Sequence, residues 1–170
     1  MRVFGLAGWS GSGKTTLLTR LIPELTRRGL SVSTIKHAHH EFDIDKPGKD
    51  SWLHRQAGAR EVMVASSRRF ALMHELGDAR EPSLDELLAL MAPVDLLLIE
   101  GFKAHAHPKL EVHRPSVGKP LLYPDDPHIV AIACDTALAA PLPVLQLDAV
   151  GAIADFIVEE SGLRHGAAER

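Results

Sequence analysis

The sequence predicts an α/β fold: a mostly parallel, twisted sheet with helices on both faces. Three observations predict it. A short apolar run, Val3–Ala7, leads through a glycine-rich segment into a stretch with helical periodicity. Strand-like and helix-like segments then alternate along the chain, the pattern that builds parallel sheets. Third, Val94-Asp95-Leu96-Leu97-Leu98-Ile99 is the near-continuous apolar run expected of a strand buried on both faces.

The elements follow in order. Val3–Ala7 reads as the first strand. From Lys14 to Arg28, Leu17, Leu18, Leu21, Ile22 and Leu25 form one apolar helical stripe. Arg27 and Arg28 suit the negative end of that helix, and Gly29 suits a left-handed cap. Ser31–Ile35 alternates and is β-branched, as a strand should be. His37–Lys49 has neither period and reads as a polar loop, after which Asp50 or Ser51 caps a helix through Gln56. Glu61–Ala65 and Arg69–Met73 read as short strands. Pro82 and Ser83 open a helix carrying Leu84, Leu87, Leu88 and Met91, and Pro93 separates it from the Val94–Ile99 strand. Lys109–His113, Ile129–Ala133 and Val144–Leu147 are further strands, with a proline-rich connection over 114–127. Val150, Ile153, Ala154, Ile157 and Val158 are the stripe of a last helix.

A chain of 170 residues has the length of one domain, so a single domain over 1–161 with a flexible tail, 162–170, is expected. The net charge of −3 lacks the basic footprint of a general nucleic-acid binder. A lone cysteine, Cys134, excludes an internal disulfide and, beside Ile129–Ala133, reads as a small buried side chain. No run approaches the ~18 apolar residues of a membrane span. The glycine-rich segment begins so early that no signal peptide precedes it, and a cytoplasmic protein is expected.

Gly8-Trp9-Ser10-Gly11-Ser12-Gly13-Lys14-Thr15 matches G-x-x-x-x-G-K-[ST], the phosphate-binding P-loop, between a strand and a helix as that motif requires. Glycines let consecutive N–H groups turn toward phosphate oxygens, and the helix N-terminus adds partial positive charge. Gly8, Ser10, Gly11, Ser12, Gly13, Lys14, Thr15 and Thr16 are therefore the expected phosphate-binding residues. Lys14 would reach the β- and γ-phosphates and the Thr15 hydroxyl would sit on Mg²⁺. The prediction sharpens to a P-loop NTPase-type three-layer fold that binds a nucleoside triphosphate.

Ligands of such sheets lie beyond the carboxyl ends of the strands. Glu100 ends the Val94–Ile99 run and precedes Gly101; a carboxylate there holds Mg²⁺ or orients a water, as a Walker-B acid does. Asp95, the rival acid, is about 16 Å away at the other end of the strand. The loop after the second strand resembles a switch loop ordered by γ-phosphate and Mg²⁺, with Asp45 and then Asp43 as metal contacts. His37, His39 and His40 could bind a transition metal, but a His-x-His without a further fixed ligand is a weak signal, and a solvated loop whose histidines bond phosphate or backbone is the plainer reading. Lys103, Lys109, Arg114 and Lys119 read one by one as solvated surface charge, or as contacts for an anionic partner. Trp9 and Trp52 read as packing residues. Asn-Lys-x-Asp, the guanine-reading signature, is absent; Asp135 occupies the corresponding strand end and could accept from guanine N1–H and the 2-amino group.

Taken together, Gly8–Thr16, Lys36–His40, Asp-Lys-Pro-Gly-Lys-Asp-Ser over 45–51, Ala57-Gly58-Ala59, Leu98-Ile99-Glu100-Gly101-Phe102-Lys103, and Pro108–Arg114 with Gly118-Lys119-Pro120 resemble the molybdopterin-guanine dinucleotide biosynthesis protein B family, MobB. The resemblance spans roughly residues 2–160. It implies a GTP-binding adaptor with weak GTPase activity in molybdenum cofactor biosynthesis, assisting nucleotide attachment or cofactor delivery. Its implied partners are the molybdopterin guanylyltransferase and molybdoenzymes or their chaperones, and its implied state is a homodimer. GTP in place of ATP rests on this resemblance alone. No arginine is placed near the phosphates by the sequence, which agrees with slow, partner-dependent hydrolysis. The alternative is a uridine-kinase-like small-molecule kinase, whose arginine-rich lid would have to come from Arg55 to Arg69.

Overall fold

The structure, a computed structural model of the chain, describes residues 1–38, 42–102 and 105–163. In chain order the elements are β1 (Arg2–Ala7), α1 (Lys14–Arg27), β2 (Val32–Lys36), α2 (Asp50–Gln56), β3 (Glu61–Ala65), β4 (Phe70–His74), α3 (Leu84–Leu90), β5 (Leu96–Glu100), β6 (Lys109–His113), β7 (Ile129–Cys134), β8 (Val144–Gln146) and α4 (Val150–Glu160). Each expected element is found, with ends displaced by a residue or two.

Contacts gather these elements into two compact units, one of Met1–His37 with the chain from Met91 onward, the other Ala38–Leu90. The sequence reading marked no boundary inside 1–161. The first unit holds a six-stranded sheet in the order β2-β5-β1-β6-β7-β8, every pairing parallel. The second holds the antiparallel hairpin β3–β4 with α2 and α3. Its hairpin leaves Met63 and Phe70 largely exposed, and Val62 and Leu84 are its buried apolar residues.

Within the first unit, α1 and α4 share one apolar cluster with Phe4, Leu6, Leu96, Leu98, Leu110, Val112, Ala131 and Ala133. These are alternate strand residues, so both helices cover the same face. Helix α1 stops as the sequence predicts. Gly29 adopts φ +85°, its N–H reaches Thr26 O at 2.9 Å and the Leu30 N–H reaches Leu25 O at 3.3 Å, a Schellman closure. Gly162 and Leu163, expected in the loose tail, still donate to Glu159 O and Val158 O at the end of α4. The remainder of that tail lies outside the described residues.

The other face carries Lys109, Glu111 and His113, all buried, along with Leu97, Ile99, Ile132 and Cys134. Irregular chain lies against it. The Lys109 ammonium donates to His105 O at 2.8 Å and to Asp126 Oδ2 at 2.9 Å. Glu111 accepts the N–H groups of Leu122 and Tyr123 at 2.7 and 2.9 Å. His107 is buried against Gly5, where an added Cβ would come within 2.5 Å of the ring. Burial, and secondarily the neighbouring Lys109 ammonium, push the His107 imidazole down to about 4. Cys134 is buried, as its apolar neighbours predict.

Candidate functional site

The Gly8–Thr16 segment leaves the end of β1 and enters α1. Gly8 adopts φ +142°, and a Cβ on it would come 2.5 Å from Val112 O and 2.7 Å from Ser12 Oγ. Both its dihedral and its surroundings therefore demand glycine. Gly13 caps α1 with φ +100°. The Lys14 ammonium reaches back across the loop to Gly8 O at 2.8 Å and Trp9 O at 2.9 Å. These contacts hold the loop curled around the lysine.

Register places the acid. Leu6 of β1 and Lys36 of β2 both pair with Glu100 of β5, so Glu100 ends its strand beside the P-loop. The Thr15 hydroxyl lies 3.2 Å from each Glu100 carboxylate oxygen. Ser10, Gly11, Gly13, Lys14, Thr15, Thr16, Lys36 and Glu100 line one cleft of about 380 Å³. This is the convergence the sequence predicts, with Lys36 added to it. A larger hollow, about 520 Å³, lies in the second unit between α2 and β3, where no such motif converges. Asp95, the rival acid, instead accepts from the Ser31 N–H at 2.8 Å and the Ser31 hydroxyl at 2.6 Å. Those bonds hold its carboxyl below the usual range and leave it a structural role at the start of β5.

The turn after Glu100 is tightly built. Gly101 adopts φ +102°, and a Cβ there would lie 2.7 Å from His37 Cβ. Phe102 also has positive φ, +49°, a costly state for a bulky residue. Its ring is buried and packs on His37 at 4.5 Å between centroids and on His105 at 5.2 Å. The His37 N–H donates to Glu100 O at 2.8 Å. His37 thus supports the Glu100 turn through its backbone and ring. His39, His40 and Lys103 lie outside the described residues. Among the described residues no group of three His, Cys, Asp or Glu side chains is arranged for a metal.

Several charged residues take places the sequence did not indicate. Asp45 belongs to the second unit, where Oδ1 accepts from Lys46 N–H at 2.9 Å and Ser51 Oγ at 2.8 Å. Asp43 accepts from the Asp45 N–H and from Arg55, and both bonds hold its carboxyl low. Arg55 is fixed further by Glu75 at 2.6 Å, so it braces this unit. Lys109 is no surface charge: it is fully buried and paired with Asp126. Trp9 packs less than expected and hydrogen-bonds more, donating Nε1–H to Pro120 O at 2.7 Å with the Lys119 ammonium 5.7 Å over its ring.

The largest correction is Arg114. Read from sequence as solvated surface charge or a contact for an anionic partner, it donates from Nε to Ser12 O at 3.1 Å and from Nη1 to Asp135 Oδ2 at 2.7 Å. An arginine is therefore fixed on the phosphate loop. Asp135 does end β7 at this edge, engaged through one oxygen. The sequence signals for Arg114 were its position directly after a strand and its place at the end of the Pro108–Arg114 block.

With this geometry in place, the relatives become informative. The family model of molybdopterin guanine dinucleotide synthesis protein B, MobB, matches residues 3–135. The chain is 44% identical over 160 residues to the molybdopterin-guanine dinucleotide biosynthesis adapter protein of Escherichia coli strain K12, covering 92% of this chain and 91% of that one. It is 43% identical over 165 residues to the adapter protein of the same name from Haemophilus influenzae, covering 96% and 90%. A crystal structure of molybdopterin-guanine biosynthesis protein B superposes with a TM-score of 0.72 at 28% identity, over 92% of this chain and 98% of that one. The MobB homolog from Bacillus stearothermophilus gives 0.68 at 27%, over 96% and 100%. Motifs, sheet order and relatives agree, and the chain belongs to the MobB family.

Proposed function

We propose that this chain is a nucleotide-binding adaptor in molybdopterin guanine dinucleotide biosynthesis, that it binds GTP with Mg²⁺, and that it hydrolyses GTP slowly. The observation that carries the nucleotide reading is the meeting of Lys14, the Thr15 hydroxyl and the Glu100 carboxylate in one cleft at the P-loop. Hydroxyl and carboxylate oxygens are the donors a hard cation takes, so Thr15 and Glu100 fit Mg²⁺. When bound, the cation screens the β- and γ-phosphate charge. The loop N–H groups and Lys14 bind and orient the phosphates, and Glu100 orients a water on the γ-phosphate side. Asp45, engaged with Ser51 in the second unit, is left out of this set.

The adaptor role is carried over from the relatives, which are molybdopterin-guanine dinucleotide biosynthesis adapter proteins. It makes a molybdopterin guanylyltransferase the expected partner, with molybdoenzymes or their chaperones as further candidates. Homodimerisation is part of the proposal. The β3–β4 hairpin, with apolar Met63, Phe70 and Leu72 on its surface, supports it. Among the described residues no helix is long and apolar enough to cross a membrane, which agrees with a cytoplasmic adaptor.

Titration of the purified protein with GTP and ATP, with and without Mg²⁺, tests the reading while phosphate release is followed. Preferential GTP binding with turnover of minutes or slower is expected. Lys14→Ala should lose triphosphate affinity by about 10²-fold or more, as removal of a charged phosphate contact implies, and still fold. Glu100→Gln should slow hydrolysis more than it weakens binding. Unchanged GTP affinity in Lys14→Ala would remove the central assignment.

A further inference from the structure

Arg114 follows β6 directly and joins two segments that end at the phosphate edge. Its guanidinium spans from Ser12 O, in the P-loop, to Asp135 Oδ2, beyond β7. It also lies against Gly13, where an added Cβ would stand 3.3 Å from Nε. The two Asp135 oxygens are in different situations. Oδ2 receives Arg114, whereas Oδ1 is buried and has no hydrogen-bond partner among the described residues. A buried carboxylate oxygen without a donor is costly, and its unused lone pairs point to a donor supplied from elsewhere.

The chain contains no asparagine at all, so base recognition through Asn-Lys-x-Asp is impossible here. A carboxylate at this strand end needs another group to fix its orientation. A planar, always-charged guanidinium does that better than a lysine, since its fork holds two acceptors in one geometry.

We propose that Arg114 is a positioning residue for base selection. It holds Asp135 so that Oδ1 accepts an N–H of the 2-amino group of a 2-amino-6-oxopurine nucleotide, the group that IDP lacks. The same guanidinium keeps the phosphate loop at a fixed distance from that carboxylate. This role rests on the nucleotide reading of the cleft given above. It links base recognition to phosphate binding through one side chain.

The test compares affinities of GDP, IDP and ADP by calorimetry for the full chain and for Arg114→Met, Arg114→Lys and Asp135→Asn, with melting curves recorded without nucleotide. The unaltered protein should favour GDP over IDP. In Arg114→Met the GDP-to-IDP ratio should fall roughly tenfold or more, the scale of one charge-assisted hydrogen bond. Arg114→Lys should also lose selectivity, because a single ammonium cannot bridge Ser12 O and Asp135. Adding Arg114→Met to Asp135→Asn should lower the ratio no further. A parallel loss for all three nucleotides, with the ratio kept, would reduce Arg114 to a brace of the loop and overturn the proposal. An unaltered protein that binds GDP and IDP equally overturns it as well, through Asp135. One that binds no nucleotide sinks the reading of the cleft itself. If Arg114→Met does not fold, Arg114→Lys decides the same comparison.

Discussion

The two faces of the six-stranded sheet differ most along β6, which shows both within five residues. Leu110 and Val112 join the apolar cluster under α1 and α4. Lys109, Glu111 and His113 alternate with them, equally buried, on the face covered by irregular chain. The cover decides which side chains work. A helix satisfies its own backbone groups and offers apolar side chains, so hydrocarbon is its proper counterpart. Irregular chain brings unpaired N–H and C=O groups, and each needs a partner once buried. Glu111 receives two such N–H groups, and Lys109 donates to such a carbonyl. The connection fixed in this way carries Arg114, and Pro120, the acceptor of Trp9, back to the P-loop.

Substitutions on each face sharpen this contrast. The largest loss is expected for Asp126→Ala, which takes the paired carboxylate from the buried Lys109 ammonium; about 3–5 kcal/mol of stability should disappear in urea denaturation. Lys109→Met should cost much less, because it removes the charge with its need for a partner. Equal losses for the two would show that the ion pair does not govern this face. On the helical face, Leu98→Ala should cost about 2–5 kcal/mol through a cavity, independently of pH.

The smallest effect should come from His107 and should depend on pH. Its folded value of about 4 lies below the ordinary 6.5, so the unfolded chain takes up the proton first. Stability is therefore complete above pH 6.5 and falls as the pH drops toward 4, by about 2–3 kcal/mol. Carboxylates add their own dependence further down. Glu24, held by Arg27 and Arg28, and Glu86, held by Arg80, each titrate near 2. The difference between the unaltered protein and His107→Leu isolates the histidine. A parallel pH profile for the two would mean that burial does not keep His107 neutral.

What the sequence made legible was local or bound to a strict spacing. The leucine stripe of α1, the Gly29 cap and the P-loop all concern residues a few positions apart. Glu100 was readable because a strand end followed by glycine has one geometric meaning. Arg114 was not, since its partners Ser12 and Asp135 are distant in sequence and no local pattern distinguishes it from a surface arginine. Lys109 misled for a related reason. Alternation in β6 correctly reports two faces, but it cannot say that chain from 105 and 126 covers the polar one. Phe102 carries no sign in its residue type of a left-handed backbone. The bond from Ser51 to Asp45, six residues apart, carries no such sign either.

The position of β1 in the sheet has a consequence for how the protein is made. Its two neighbours, β5 and β6, begin at Leu96 and Lys109. A ribosome adding about 5–20 residues per second takes roughly 5–20 s to go from β1 to the first of them. Once they have left the exit tunnel, Phe4 and Leu6 have no strand beside them until β5 and β6 follow. The whole Ala38–Leu90 unit, by contrast, has been synthesised before β5 emerges. The inserted unit can therefore be complete before the nucleotide fold it interrupts, and chaperone demand during synthesis falls on the first strand to appear.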